Sequence, residues 1–193
     1  MEGTAVVITC STRAAAGIYP DRSGPIIVEA LRAWGLVVGE VVVVPDGPDV
    51  EVALRAAIST GATLVLTTGG TGLTPTDGTP EATERVIDRL VPGIAEAIRA
   101  AGVQAGIPSA MLSRGVSGVA GRTLVVNLPG SSGGVRDGLG VLGPGVAHAL
   151  AQGQGGDHGP GDSGRGRGAR GGSAALPSSC GRCAAGTVAS GRT

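Results

Sequence analysis

Between Thr67 and Glu81 the sequence runs from an apolar stretch, through glycines and hydroxyls, to a carboxylate and a helix start. Gly69, Gly70 and Gly72 carry no side chains and permit positive φ. Successive backbone N–H groups can therefore turn toward a phosphate or carboxylate, with the hydroxyls of Thr68 and Thr71 beside them. Asp77 stands near where that anion would lie, and two negative charges at one place require a cation between them. Mg²⁺ is the ion that carboxylate and phosphate oxygens usually hold together. Asp46, in Pro45-Asp46-Gly47, is by itself ordinary turn chemistry; paired with Asp77 it is a second carboxylate from a separate strand end, able to share the same cation. Ser131 and Ser132 precede the last helix, where hydroxyls and amides at the positive end of the dipole suit a phosphate, although a helix cap accounts for them equally well. A lone Gly-Gly-x-Gly is as readily a plain turn between a strand and a helix as an anion site.

These residues need a scaffold that brings distant loops together. The apolar runs Ala5 to Thr9, Leu36 to Val44, Ala62 to Leu66 and Thr123 to Val126 are rich in β-branched residues and alternate with helix-like segments. This predicts an α/β fold: three layers, a mostly parallel sheet flanked by helices. The first main helix is expected from Ser23, with Pro25 in its first turn, Ile26, Ile27, Ala30, Leu31 and Trp34 on one side, and Gly35 as its stop. Asp49 is read as the cap of a helix with Val52, Ala53, Ala56 and Ala57 inward. Another helix is expected from Thr79, as N-cap, to about Leu90, a fourth from Ile94 to Ala101, and a last after Gly134. In such a sheet, ligands bind beyond the carboxyl ends of the strands. The segments beginning at Cys10, Pro45, Thr68 and Asn127 should meet there.

Composition excludes several chemistries. All 15 basic residues are Arg, so neither a Walker-type phosphate lysine nor a Schiff base is available. Residues 1–152 carry ten Arg against thirteen acids, and Trp34 and Tyr19 are the only large aromatics, which argues against a nucleic-acid surface. No apolar stretch reaches the roughly 18 residues a membrane span needs, and no leader-like segment precedes the first strand, so a cytoplasmic location is expected. Cys10 reads as a buried free thiol, His148 as packing or surface, and Cys180-x-x-Cys183 lacks partners for a zinc site. Residues 153–193 are Gly, Ser and Arg-rich and are expected to be a disordered tail after a domain at 1–152. Arg165, Arg167 and Arg170 could touch RNA, but a solvated tail is the heavier reading.

The string Thr68 to Thr83 resembles the signature of the molybdopterin-binding Mog/MoaB family, which includes the G domain of gephyrin-like proteins. Pro45-Asp46-Gly47, Asn127-Leu128-Pro129-Gly130-Ser131, Ser11 to Gly17 and Asp21 to Pro25 are similar to the same family in the same order, over residues 4 to 152. The resemblance implies transfer of AMP from Mg-ATP to molybdopterin, releasing pyrophosphate. Asp46 and Asp77 would be the catalytic and Mg²⁺-holding acids; Thr68, Gly69, Gly70, Thr71, Gly72, Pro129, Gly130 and Ser131 would contact the substrates. Ser113-Arg114 is similar to a family segment near the pterin site, and Arg13, Ser23 and Arg136 have weaker standing. It further implies a homotrimer and handover to a molybdenum-inserting protein. Thr76 and Gly78 depart from the family's Arg-Asp-Val, removing a cation beside the phosphates. That departure keeps open a non-catalytic molybdopterin-binding or scaffold protein of the same fold.

Overall fold

The computed structural model describes residues 3–153 and 155. In chain order the elements are β1 (Thr4–Cys10), α1 (Thr12–Ala15), α2 (Gly24–Ala33), β2 (Val37–Val38), β3 (Val42–Val44), α3 (Pro48–Ser59) and β4 (Leu64–Thr68). There follow α4 (Thr79–Glu84), β5 (Arg89–Leu90), α5 (Pro92–Gln104), a 3₁₀ helix (Pro108–Leu112), β6 (Ser117–Ala120), β7 (Thr123–Leu128) and α6 (Ser132–Gly153). They form a seven-stranded sheet in the order β2-β1-β4-β7-β6-β5, with β3 also pairing β1. All pairings from β2 and β3 through β7 are parallel; β6 runs antiparallel to β7, and β5 to β6. The period of two divides the strand residues between two cores. Val7, Leu64, Leu66, Val126 and Leu128 face α2, α5 and α6, while Ile8, Cys10, Val65 and Val125 face α3 and α4. The expected three-layer, mostly parallel architecture is what the chain adopts.

Several expectations are corrected. Leu36 to Val44 is two strands: Val38 pairs Ala5 and Val42 pairs Ile8, so four steps oppose three, and the extra residue is accommodated around Gly39 to Val41. On α3, Gly47 (φ 111°) is the N-cap and Asp49 lies in the first turn, where the dipole favours it. Its inward face is Val50, Leu54 and Ala57, because that stripe places the bulkier side chains inside; Val52 is 66% exposed. The helix from Thr79 ends at Glu84, since Arg89 and Leu90 are taken into β5, and Gly78 rather than Thr79 is its N-cap. Gly118 makes that pairing possible: a Cβ there would lie 2.5 Å from Ile87 Cδ1 and 2.6 Å from the Arg89 carbonyl oxygen. α5 starts at Pro92, whose missing N–H costs nothing in a first turn, and α6 starts at Ser132 and reaches Gly153. Residues 154 and 156–193, which hold the tail expectation and its Cys pair, lie outside the described residues. No helix among the described residues is long and apolar enough to cross a membrane.

Candidate functional site

β1, β3, β4 and β7 are parallel, so the segments that leave their carboxyl ends converge. They enclose a cleft of about 900 Å³ bounded by Cys10 to Ala14, Tyr19 to Ser23, Asp46, Thr68 to Gly70, Thr76, Asp77 and Gly130 to Ser132. Beside it lies a hollow of about 530 Å³, lined by Ile98, Ile107, Ala110, Leu112, Ser113 and Pro129. The two share one wall: Gly69, Gly70, Asp77, Gly130 and Ser131 border both. Gly69 and Gly70 have φ of 94° and 61°. A Cβ on Gly69 would sit 2.3 Å from the Cys10 carbonyl oxygen, and one on Gly70 would sit 2.3 Å from Thr79 Oγ1. Glycine is therefore required by both conformation and space.

Both carboxylates are held on one oxygen. Asp46 Oδ2 accepts from the Thr12 N–H (3.0 Å) and hydroxyl (2.9 Å), and Asp77 Oδ2 from the Thr74 N–H (3.0 Å) and hydroxyl (2.6 Å). Among the described residues no hydrogen bond engages Oδ1 of either acid. Asp46 Oδ1 lies 3.1 Å from the place of a Gly70 Cβ, and Asp77 Oδ2 lies 2.8 Å from that of Gly72, so the two acids flank the glycine loop. No group of three or more His, Cys, Asp or Glu able to hold a metal occurs among the described residues. Two carboxylates with oxygen donors from a phosphate and water are a set that fits Mg²⁺, which seldom relies on an all-protein cage.

Other expected residues are committed within the protein. Thr68 donates its hydroxyl to the Pro129 carbonyl (2.7 Å), tying the glycine loop to the loop after β7. Ser131 caps α6, accepting from the Gly134 N–H at 3.1 Å. Ser113 lies in the smaller hollow, 3.4 Å from the Thr71 hydroxyl. Among the described residues Arg136 donates to the Ser132 carbonyl of its own helix, Arg13 stacks over Tyr19 at 5.0 Å, and His148 is exposed. Ser23 is the N-cap residue of α2 but makes no side-chain cap bond: Asp21 accepts from the Ser23 and Gly24 amides, and the Ser23 hydroxyl goes to the Gly130 carbonyl (2.9 Å). The Cys10 thiol is pushed up to about 12, by burial above all; the Thr79 hydroxyl opposes this and nearby Asp46 adds to it. No thiolate chemistry is available there near neutral pH.

Three features escaped the sequence reading. Asn127, 3% exposed, donates to both Thr67 and Thr83 hydroxyls at 2.9 Å and accepts from Val116, locking β7 to β4 and α4. Thr79 Oγ1 is buried beneath Gly70 and makes no hydrogen bond of ordinary geometry among the described residues, although it lies near enough to the Cys10 thiol to oppose the rise of that group's pKa. Arg114 donates to the Gly72 carbonyl (2.7 Å), the Asp77 carbonyl and the Glu81 carboxylate. That guanidinium, followed by the helix-end amide, holds the Glu81 carboxyl below the usual range. The Asp21-x-Ser-Gly turn, by contrast, had a readable local signal.

Comparison with known families decides what this geometry belongs to. The model of the family described as "Probable molybdopterin binding domain" matches residues 6–148. The chain belongs to this family. Among its solved members, the molybdopterin biosynthesis Mog protein of Mycobacterium ulcerans is 53% identical, with a TM-score of 0.75 over 78% of this chain and 99% of that one. The molybdopterin adenylyltransferase of Helicobacter pylori is 35% identical over 148 residues, 75% of this chain and 84% of the relative. The molybdenum cofactor biosynthesis bifunctional protein of Synechococcus elongatus is 43% identical over 156 residues, 80% of this chain and 49% of its own. The chain thus spans about half the length of such bifunctional relatives. The family's matched region contains both acids, the glycine loop and the start of α6.

Proposed function

We propose that this chain acts in molybdenum cofactor biosynthesis as a molybdopterin adenylyltransferase, moving AMP from Mg-ATP to the terminal phosphate of molybdopterin. The observation that carries the reading is the shared wall. Two ligands, one in the polar cleft and one in the more apolar hollow, would meet across Gly69, Gly70, Asp77 and Gly130, where almost no side chain intervenes. A phosphate oxygen of molybdopterin attacks the α-phosphorus of ATP, the Pα–O–Pβ bond breaks, and pyrophosphate leaves with its electron pair. The attacking phosphate is already ionised near neutral pH, so no general base is needed. This suits a site that, among the described residues lining it, has one cysteine, a buried thiol, and no histidine.

Backbone amides of the glycine loop and of the α6 start would orient the phosphates and take up developing charge. Asp46 and Asp77 would hold Mg²⁺ through their unengaged Oδ1 atoms; when bound with ATP, the ion supplies charge neutralisation at the triphosphate. The 35% identity to a molybdopterin adenylyltransferase and the 53% identity to a Mog protein support the reading. The working form is a homo-oligomer, a trimer, located in the cytoplasm, which hands adenylated molybdopterin to a molybdenum-inserting protein. Size measurement in solution and co-purification test those last points. For the reaction itself, molybdopterin, Mg-ATP and purified protein should yield pyrophosphate and adenylated pterin, with Asp46→Asn and Asp77→Asn both strongly impaired. Tight pterin binding without product from the wild type would replace the enzyme by a binding protein.

A further inference from the structure

The loop between Gly72 and Gly78 carries Asp77, yet most of it is exposed. Its internal ties are local: Thr74 and Asp77 bond each other through side chain and backbone, including Asp77 N–H to the Thr74 carbonyl at 3.0 Å. The side-chain bonds that reach it from elsewhere come from Arg114, distant in sequence and seated in the groove on the far side of the loop from the cleft. One planar guanidinium there joins the first and next-to-last carbonyls of the segment and also binds Glu81 on α4. The Arg114 N–H adds a 2.8 Å bond to the Thr71 carbonyl. A fork of fixed geometry is suited to joining three acceptors at once, and a lysine ammonium, a point charge on a flexible stem, is not.

We propose that Arg114 is a positioning residue which, from behind the loop, fixes the Asp77 carboxylate in the wall shared by the two hollows. The inference rests on the adenylyl-transfer reading for its consequence, but not for its geometry. Arg114 touches neither hollow's ligand space: it lines only the rear groove.

The test compares wild type, Arg114→Lys and Arg114→Ala by residue-resolved amide exchange and by MgCl₂ titration of pyrophosphate release. Expected are exchange at residues 72–78 faster by about tenfold or more in Arg114→Ala, with β1, β4 and β7 unchanged, and Arg114→Lys falling between. The MgCl₂ concentration for half-maximal rate should rise by a similar factor, while KM for molybdopterin changes less. Exchange that is unaltered, or that rises uniformly over the chain, overturns the proposal. So does local loosening with an unchanged MgCl₂ requirement. If Arg114→Ala does not fold, Arg114→Lys alone decides by the same criteria. If the wild type makes no pyrophosphate, the functional reading fails, and the exchange comparison still decides whether Arg114 holds the loop.

Discussion

Replacing Gly69 by Ala is the sharpest mechanical test of the glycine loop. At φ of 94° an L side chain is strained, and the new Cβ would lie 2.3 Å from the carbonyl oxygen of Cys10 and 3.3 Å from its carbon. The obstacle is backbone, not a side chain that can swing away, and it belongs to β1, which is paired to β3 and β4 on its two sides. Backbone strain of about 1–2 kcal/mol and overpacking of about 1–3 kcal/mol together give roughly 2–5 kcal/mol. For a domain of this size that lowers Tm by roughly 4–20 °C. Gly78→Ala is the control: its φ is −119° and nothing lies within 4 Å of the added Cβ, so a change within about 0.5 kcal/mol is expected. Calorimetric melts of the two variants, with pyrophosphate release measured on the folded fraction, make the comparison. Gly69→Ala melting together with Gly78→Ala, and retaining activity, would refute the close-approach argument.

Other consequences follow from the buried polar groups and the shifted carboxyl and thiol. Asn127→Ala should cost about 2–4 kcal/mol in denaturant unfolding, since it leaves the Thr67 hydroxyl and the Val116 amide without their partner in the interior and removes one of the two bonds of the Thr83 hydroxyl, which still donates to the Thr79 carbonyl. Cys10 should resist alkylation in the folded protein at pH 8 while reacting after unfolding, as peptide mapping would show. Because the folded thiol binds its proton more tightly (about 12 against an ordinary 9.0), its contribution to stability is complete below pH 9 and is lost as pH climbs toward 12. Glu81 has the opposite sign: its folded carboxyl is held below the ordinary 4.5, so its pairing with Arg114 stabilises above that pH and is lost as pH falls through the depressed value. Acid titration of Glu81→Gln should therefore show a shallower loss of stability than wild type.

How far the sequence reveals this molecule depends on the range of each interaction. β4 is legible because a strand covered on both faces must be apolar at every step, as Leu64-Val65-Leu66 is. The convergence of four loops follows from parallel topology alone. β5 is not legible, since two residues have no period, and the split between β2 and β3 is hidden because one extra residue leaves composition unchanged. On α3 the expected stripe Val52, Ala53, Ala56, Ala57 and the observed Val50, Leu54, Ala57, which share Ala57, both obey helical spacing; volume chooses between them, and only the packed sheet reports volume. Asp46 and Asp77 stand out as loop acids beside glycine. The acceptors of Arg114 lie at positions 72, 77 and 81, and no local pattern announces a bond across that distance.

The central claim is adenylyl transfer, and the most direct measurement follows phosphorus. The protein is given molybdopterin and Mg-ATP labelled either in the α- or in the γ-phosphate, and the products are separated. The account predicts α-label on the pterin and γ-label in pyrophosphate, with both lost in Asp77→Asn. Label from the γ-phosphate on the pterin, or no transfer from either position while molybdopterin stays bound, would contradict it.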